Sequence, residues 1–442
     1  MARFPDGFRW GFSTSAYQIE GAVNADGRGL SVWDIFCARP GAIADGESGR
    51  VACDHYHRWR EDIGLMRDAG ASAYRFSIAW PRVQPDGRGR PNGKGLDFYD
   101  RLVDALLEAG IAPYACLFHW DMPQPLEDRG GWSSRDTCYR FRDYAGIVAG
   151  RLGDRLAWAA TLNEPSTLTW AGHAVGAHAP GHADRRRMLS ALHHQNLAHG
   201  LAVATLRAEA PRLPLGILVN PMPARPQREE DGCVEAAEIF DDLWNRGVLD
   251  PLLTGRYPER LAEWLGPLVE DGDFAAIHQP LDRLGLNYFT RAYCRPDRDN
   301  PAGIAFDQHR PGDRKLTSLG WEMDGGGLYE VLTRLRTDYG NPAVTVTGNG
   351  AAFDDRPDGD GRVRDGARID FYRDHLENLA RAIADGANVG GYLTWSLLDN
   401  FELAAGYTQR LGTVFVDRRT LRRSPKDSHA FLRDVFQSNE IA

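Results

Sequence analysis

Eight short runs of apolar, β-branched or aromatic residues are spaced along this chain, near residues 8–13, 73–79, 112–118, 157–162, 215–219, 283–289, 343–347 and 391–396. Stretches of helical period lie between them, at 59–69, 95–109, 135–152, 188–209, 234–243, 328–339 and 369–384. This alternation constrains the fold more than any other feature, because it is the pattern of repeated βα units around a parallel sheet. No linker rich in Ser, Gly or Pro divides the units. The pattern therefore predicts one closed (β/α)8 TIM barrel over residues 1–442 rather than a doubly wound sheet. Gly/Pro-rich stretches at 34–49, 296–313 and 354–366 read as βα loops or turns inside it. In such a barrel, chemistry sits at the C-terminal ends of the strands.

A length of 442 residues suits a barrel with insertions, and 43% hydrophobic residues supply its core. The formal net charge is −9, with arginines interspersed among acidic residues, which argues against nucleic acid as a partner and for a neutral or weakly charged substrate. The opening residues carry no apolar signal segment, and no stretch approaches membrane-spanning length. A cytoplasmic protein without membrane contact is the expectation. Cys37, Cys53, Cys116, Cys138, Cys233 and Cys294 form no Cys-x-x-Cys pair, so reduced, buried thiols are expected rather than a disulfide framework or a zinc site. Neither metal nor cofactor is called for.

Glu164 lies just after the fourth run, inside Thr-Leu-Asn-Glu-Pro at 161–165. A carboxyl there suits the protonation of a leaving oxygen, one of the two tasks in glycosidic bond cleavage; the other is to supply or activate a nucleophile. Polar and aromatic residues gather at other strand ends: Gln18, Arg75, His119, Trp120, Asn220, Asn287, Trp395 and Glu402. Amides and carboxylates grip vicinal hydroxyls, and indole faces pack on sugar rings. Taken singly, Trp120 and Trp395 read equally as core and His119 as a buried imidazole; the set together reads as a sugar site. Glu164, Glu402 and Gly348 are all expected just after strands.

The chain resembles family 1 glycoside hydrolases, the retaining β-glucosidases and β-galactosidases, over nearly its whole length. The motifs are Phe-Pro-Asp-Gly-Phe-Arg-Trp-Gly at 4–11, Ala-Tyr-Gln-Ile-Glu-Gly at 16–21, Ala-Cys-Asp-His-Tyr-His at 52–57 and Tyr-Arg-Phe-Ser-Ile-Ala-Trp at 74–80. They continue with His119-Trp120, the segment at 161–165, Gly-Trp-Glu-Met at 320–323 and Trp-Ser-Leu-Leu-Asp-Asn-Phe-Glu at 395–402. The resemblance implies Glu164 as general acid/base, and Gln18, His119, Asn163 and Glu402 as hydrogen-bonding groups for the non-reducing sugar. It implies Trp395 as a stacking platform, Arg75 as a neighbour of the nucleophile, and Asn220 and Trp321 as groups near the leaving group. Tyr288 and Leu403, beside Asn287 and Glu402, join the candidate substrate-binding set. The implied partners are a small β-glycoside and a sugar or aglycone acceptor.

Three positions depart from the family pattern. Where the family has the nucleophile motif Thr-Glu-Asn-Gly, this chain reads Thr347-Gly348-Asn349-Gly350, and glycine cannot attack an anomeric carbon. Leu403 stands where the family usually has Trp, and Phe289 where it commonly has Tyr, which leaves β-glucose as the default sugar and admits a deoxy sugar. Because every other group is kept, Gly348 reads as an engineered, glycosynthase-type change with space at 348 for an anion or a water. A natural pseudoenzyme that binds β-glycosides, and a hydrolase in which another carboxylate or the substrate attacks, are the alternatives.

Overall fold

A computed structural model describes residues 2–310, 312 and 315–441. Eight parallel strands close into a barrel: β1 (Arg9–Ser13), β2 (Ala73–Ser77), β3 (Ala112–Phe118), β4 (Trp158–Asn163), β5 (Leu215–Val219), β6 (Arg283–Asn287), β7 (Val344–Gly348) and β8 (Val389–Trp395). Closure is made by β8 against β1, with Gly391 opposite Arg9 and Trp395 opposite Ser13. All eight predicted runs are strands, displaced by at most two residues at either end. Their residues are almost all buried, as expected for a sheet covered on both faces.

A helix follows each strand: α1 (His55–Asp68), α2 (Gly93–Glu108), α3 (Asp136–Leu152), α4 (Arg185–Glu209), α5 (Asp231–Phe240), α6 (Gly325–Asp338), α7 (Gly366–Ala384) and α8 (Asp427–Ser438). In α2 the buried residues Leu96, Tyr99, Leu102, Val103 and Leu106 recur at helical spacing and make the stripe that faces the sheet. Asp184 caps α4 by accepting from the Arg187 amide at 2.8 Å, so that helix begins before the first apolar residue of its pattern.

Two details differ from the sequence expectations. The 296–313 stretch is no plain loop: Ile304–Asp307 pairs antiparallel with Ala292–Pro296, which in turn pairs with Ala224–Pro226. Short, proline-bearing strands of this kind lack the apolar alternation that marks a buried strand. The last residues of that stretch, Pro311 and Asp313, lie outside the described ones. Of the six cysteines, all are free and five are buried; Cys37 is half-exposed.

The barrel interior changes character from bottom to top. Its lower part packs Ala73, Tyr114, Cys116, Trp158, Ala160, Leu218 and Leu393. Above that layer come Arg75, Asn163, Asn287 and Thr347, which are linked to one another by hydrogen bonds and floor the site.

Candidate active site

The strand ends deliver the side chains. Gln18 sits on the one-turn helix Ala16–Ile19 after β1, Arg75 within β2, His119 and Trp120 directly after β3, and Asn163 and Glu164 at the end of β4. Asn220 follows β5, Asn287 ends β6, and Trp395 ends β8. Gly348 is the last residue of β7 rather than the first after it, and Glu402 lies seven positions beyond β8, on a loop. A cavity of about 340 Å³ opens over them. Gln18, Arg75, His119, Trp120, Glu164, Asn220, Asn287, Trp321, Trp395, Glu402 and Leu403 all line it. Trp120, Glu164 and Leu403 hold left-handed backbone, with φ of 71°, 46° and 50°, a strain of about 1–3 kcal/mol each that the packed surroundings sustain.

One wall is built to hold hydroxyls. Ser15 donates to Gln18 Oε1 at 2.6 Å, and Gln18 Nε2 donates to Asn400 Oδ1 at 3.0 Å and to Glu402 Oε2 at 3.1 Å, so amide and carboxylate are fixed side by side. Burial pushes the Glu402 carboxyl up to about 7, opposed by the bond from Gln18. The Trp395 and His119 rings lie nearly parallel, 5.8 Å between centroids. Arg75 Nη2 approaches His119 Nδ1 at 3.0 Å; a guanidinium only donates, so Nδ1 accepts and the imidazole proton sits on Nε2, which lies 3.4 Å from Asn163 Nδ2. Burial and the Arg75 charge hold His119 well below the usual imidazole range, in keeping with that neutral tautomer.

The opposite wall carries Glu164. Its Oε1 accepts from Asn287 Nδ2 at 2.6 Å and its Oε2 from Thr167 Oγ1 at 2.8 Å. Asn220 Nδ2 donates in turn to Thr167 at 2.7 Å. Burial raises the Glu164 pKa, while these donors and the Arg75 charge pull it back. Carboxyl groups at the ends of different strands, facing one cavity across an aromatic platform, are the equipment of a glycosidase.

Relatives of this chain are known. The profile of glycosyl hydrolase family 1 matches residues 1–441. The chain belongs to this family. It is 43% identical to β-glucosidase A of Acetivibrio thermocellus, covering 99% of this chain and 98% of that protein. It is 44% identical to the bifunctional β-D-glucosidase/β-D-fucosidase of Bifidobacterium breve, covering 97% of each. The solved family 1 β-glucosidase of Thermotoga maritima superposes with a TM-score of 0.95 at 40% identity, covering 100% of both chains.

Within this family 1 site, three predicted residues sit elsewhere than expected. Tyr288 is not a ligand-facing group: its ring is buried against His375 and its hydroxyl donates to Asp324 O at 2.9 Å, because β6 ends at Asn287 and the next side chain turns outward. Asn163 lies beneath the cavity, where it accepts from Arg75 at 2.5 Å. Gly348 is also below the surface, and the space expected there is filled. It pairs across the strands with Asn287, whose carboxamide leans over it so closely that a Cβ at 348 would lie 2.7 Å from Oδ1.

Several lining residues escaped the sequence reading. Thr167 had a signal: three positions after Glu164 on a helical turn, it shares that residue's face. Gln308, Leu319 and Leu411 reach the cavity from distant loops and had none. Phe289 lines it beside Trp321, 5.5 Å between ring centroids. Among the described residues, no group of three or more His, Cys, Asp or Glu is arranged to hold a metal ion, and no helix is long and apolar enough to cross a membrane.

Proposed function

We propose that this chain is a family 1 β-glucosidase-type enzyme, one domain over its length, in which Gly348 occupies the nucleophile's position, so that it binds β-glycosides without hydrolysing them and instead joins sugars. One observation carries the reading. Arg75, fully buried, has two guanidinium nitrogens, Nε and Nη1, with no oxygen or nitrogen acceptor, and the weakly accepting Cys116 sulfur is its further polar neighbour. Buried charged donors are rarely left so, and an Arg fork is matched by a carboxylate. The residues lining the cavity include two carboxylates, Glu164 and Glu402, and the second is engaged by Gln18. β-Glucosidases among the relatives support the β-glucosyl class; the β-fucosidase activity named for the B. breve relative supports admitting a deoxy sugar, as does Leu403.

With an α-glycosyl fluoride as donor, the acceptor oxygen bonds to C1 from the β face while the C1–F bond breaks and its electron pair leaves with fluoride. The acceptor proton passes to the Glu164 carboxylate and then to water. The β-glycoside formed accumulates, because nothing at 348 attacks it. Incubating α-glucosyl fluoride with an aryl β-glucoside, with and without Glu164→Ala, tests this by fluoride release and product analysis. Condensation that depends on Glu164 supports the reading. Neither condensation nor fluoride release above background overturns it in favour of a second one, a β-glycoside binder without turnover, which the Asn287 side chain over Gly348 favours.

A further inference from the structure

We propose that Asn287 is a positioning residue with two side-chain places, chosen by the presence or absence of a side chain at 348, and that its place over Gly348 biases Glu164 toward the ionised form that works as a base. The proposal rests on reading Gly348 as the vacated nucleophile position. Asn287 is 2% exposed and is the register partner of Gly348. Its carboxamide is held from three sides: Thr347 Oγ1 donates to Oδ1 at 2.8 Å, while Nδ2 donates to Asn163 Oδ1 at 3.1 Å and to Glu164 Oε1 at 2.6 Å. A Cβ at 348 would meet Oδ1 at 2.7 Å and Cγ at 2.9 Å, distances that real carbons do not tolerate. The amide group is the far end of a rotatable side chain, so it is the part that gives way.

When it moves, Glu164 loses its shorter hydrogen bond. A donor to the charged carboxylate favours ionisation, and its removal favours the protonated acid. A single methyl group at 348, with no charge, thus shifts Glu164 from base toward acid through Asn287. The other groups facing Glu164 are the Arg75 guanidinium from β2, the Glu402 carboxyl from the loop after β8, and the uncharged Thr167 and Asn163. Neutral His119 after β3 adds no charge. The three atoms nearest to a Cβ at 348 all belong to Asn287.

The experiment is a double-mutant cycle on the whole chain: the parent, Gly348→Ala, Asn287→Ala and both together, with the Glu164 carboxyl titrated by carbon-13 NMR. Each single substitution is expected to raise the Glu164 titration point by about one pH unit, and the pair to raise it no further than either alone. Asn287→Ser, which keeps a short donor, is expected to fall between parent and Asn287→Ala, and it replaces that variant if alanine fails to fold. An unchanged titration in Gly348→Ala, or two shifts that add, overturns the proposal. The titration needs no turnover, so loss of transfer activity bears on the proposed function and leaves this result standing. Where transfer occurs, its acid limb moves up by the same amount.

Discussion

The two walls of the cavity are built to different standards of completeness. On the wall made by Gln18, His119, Trp395 and Glu402, each group has a brace, and the free donors and acceptors face the cavity. On the wall made by Glu164, Arg75, Asn287 and Gly348, two buried guanidinium nitrogens have no oxygen or nitrogen acceptor, and a neutral amide donates to the Glu164 carboxylate. On the function proposed above, recognition and reaction separate: one wall would grip a sugar regardless of what stands at 348, and the other would lack the atom that breaks its bond.

The sharpest way to break that contrast is Gly348→Glu. It is expected to raise aryl β-glucoside hydrolysis by roughly four or more orders of magnitude, about 6–9 kcal/mol of barrier, with retained configuration in the product read by proton NMR. An inverted product would dismantle the assignment of the second wall. Next, Glu402→Ala attacks the intact wall. Affinity for an uncleaved β-glucoside, measured by calorimetry well above the Glu402 titration point of about 7, is expected to fall by about 2–4 kcal/mol, since a charged acceptor to vicinal hydroxyls is removed from a desolvated site; unchanged affinity would show that the grip lies elsewhere.

A subtler test uses protons. The folded Glu402 carboxyl titrates at about 7 because of burial, against an ordinary value near 4.3 in the unfolded chain. Between those values the folded state keeps a proton that the unfolded state gives up, so this group's contribution to stability declines as pH rises from about 4.5 to about 7 and is level above. Glu402→Gln removes the slope; its melting temperature relative to the parent is expected to climb over that window and to level off above it. A pH-independent difference would mean that Glu402 is not held protonated. The smallest effect is expected at the rim, where Trp321→Ala should weaken an aryl acceptor by about 1 kcal/mol, a few-fold in its KM, while donor affinity is unchanged.

Much of this was legible beforehand, for identifiable reasons. Strand runs such as 112–118 and 215–219 matched residue for residue, because a strand buried on both faces is written as continuous apolar sequence. Helix starts other than that of α3 were placed late, as at Met188 against the true Arg185, since first turns are polar and carry no periodic signal. Helix α8 was missed where His429 and Arg433 dilute its apolar stripe. In the site, Glu164, Gln18 and His119 stood in motifs at strand ends. The occupation of the space above Gly348 was beyond reach, because it depends on the lateral register of β6 and β7, joined by residues 60 apart such as Thr347 and Asn287.

Closure of the barrel between β8 and β1 has a temporal side. The Gln18 to Glu402 bond spans 384 positions, and Trp395 ends the last barrel strand to be synthesised. While the ribosome is still making β8, the emerging chain already holds Glu164 and His119 but has no place for a sugar to rest. Loop closure over such a span is among the slowest contacts a chain makes. Sugar added during refolding would thus have nothing to bind until the final step, and it would act there as a latch on the finished ring rather than as a template for its assembly.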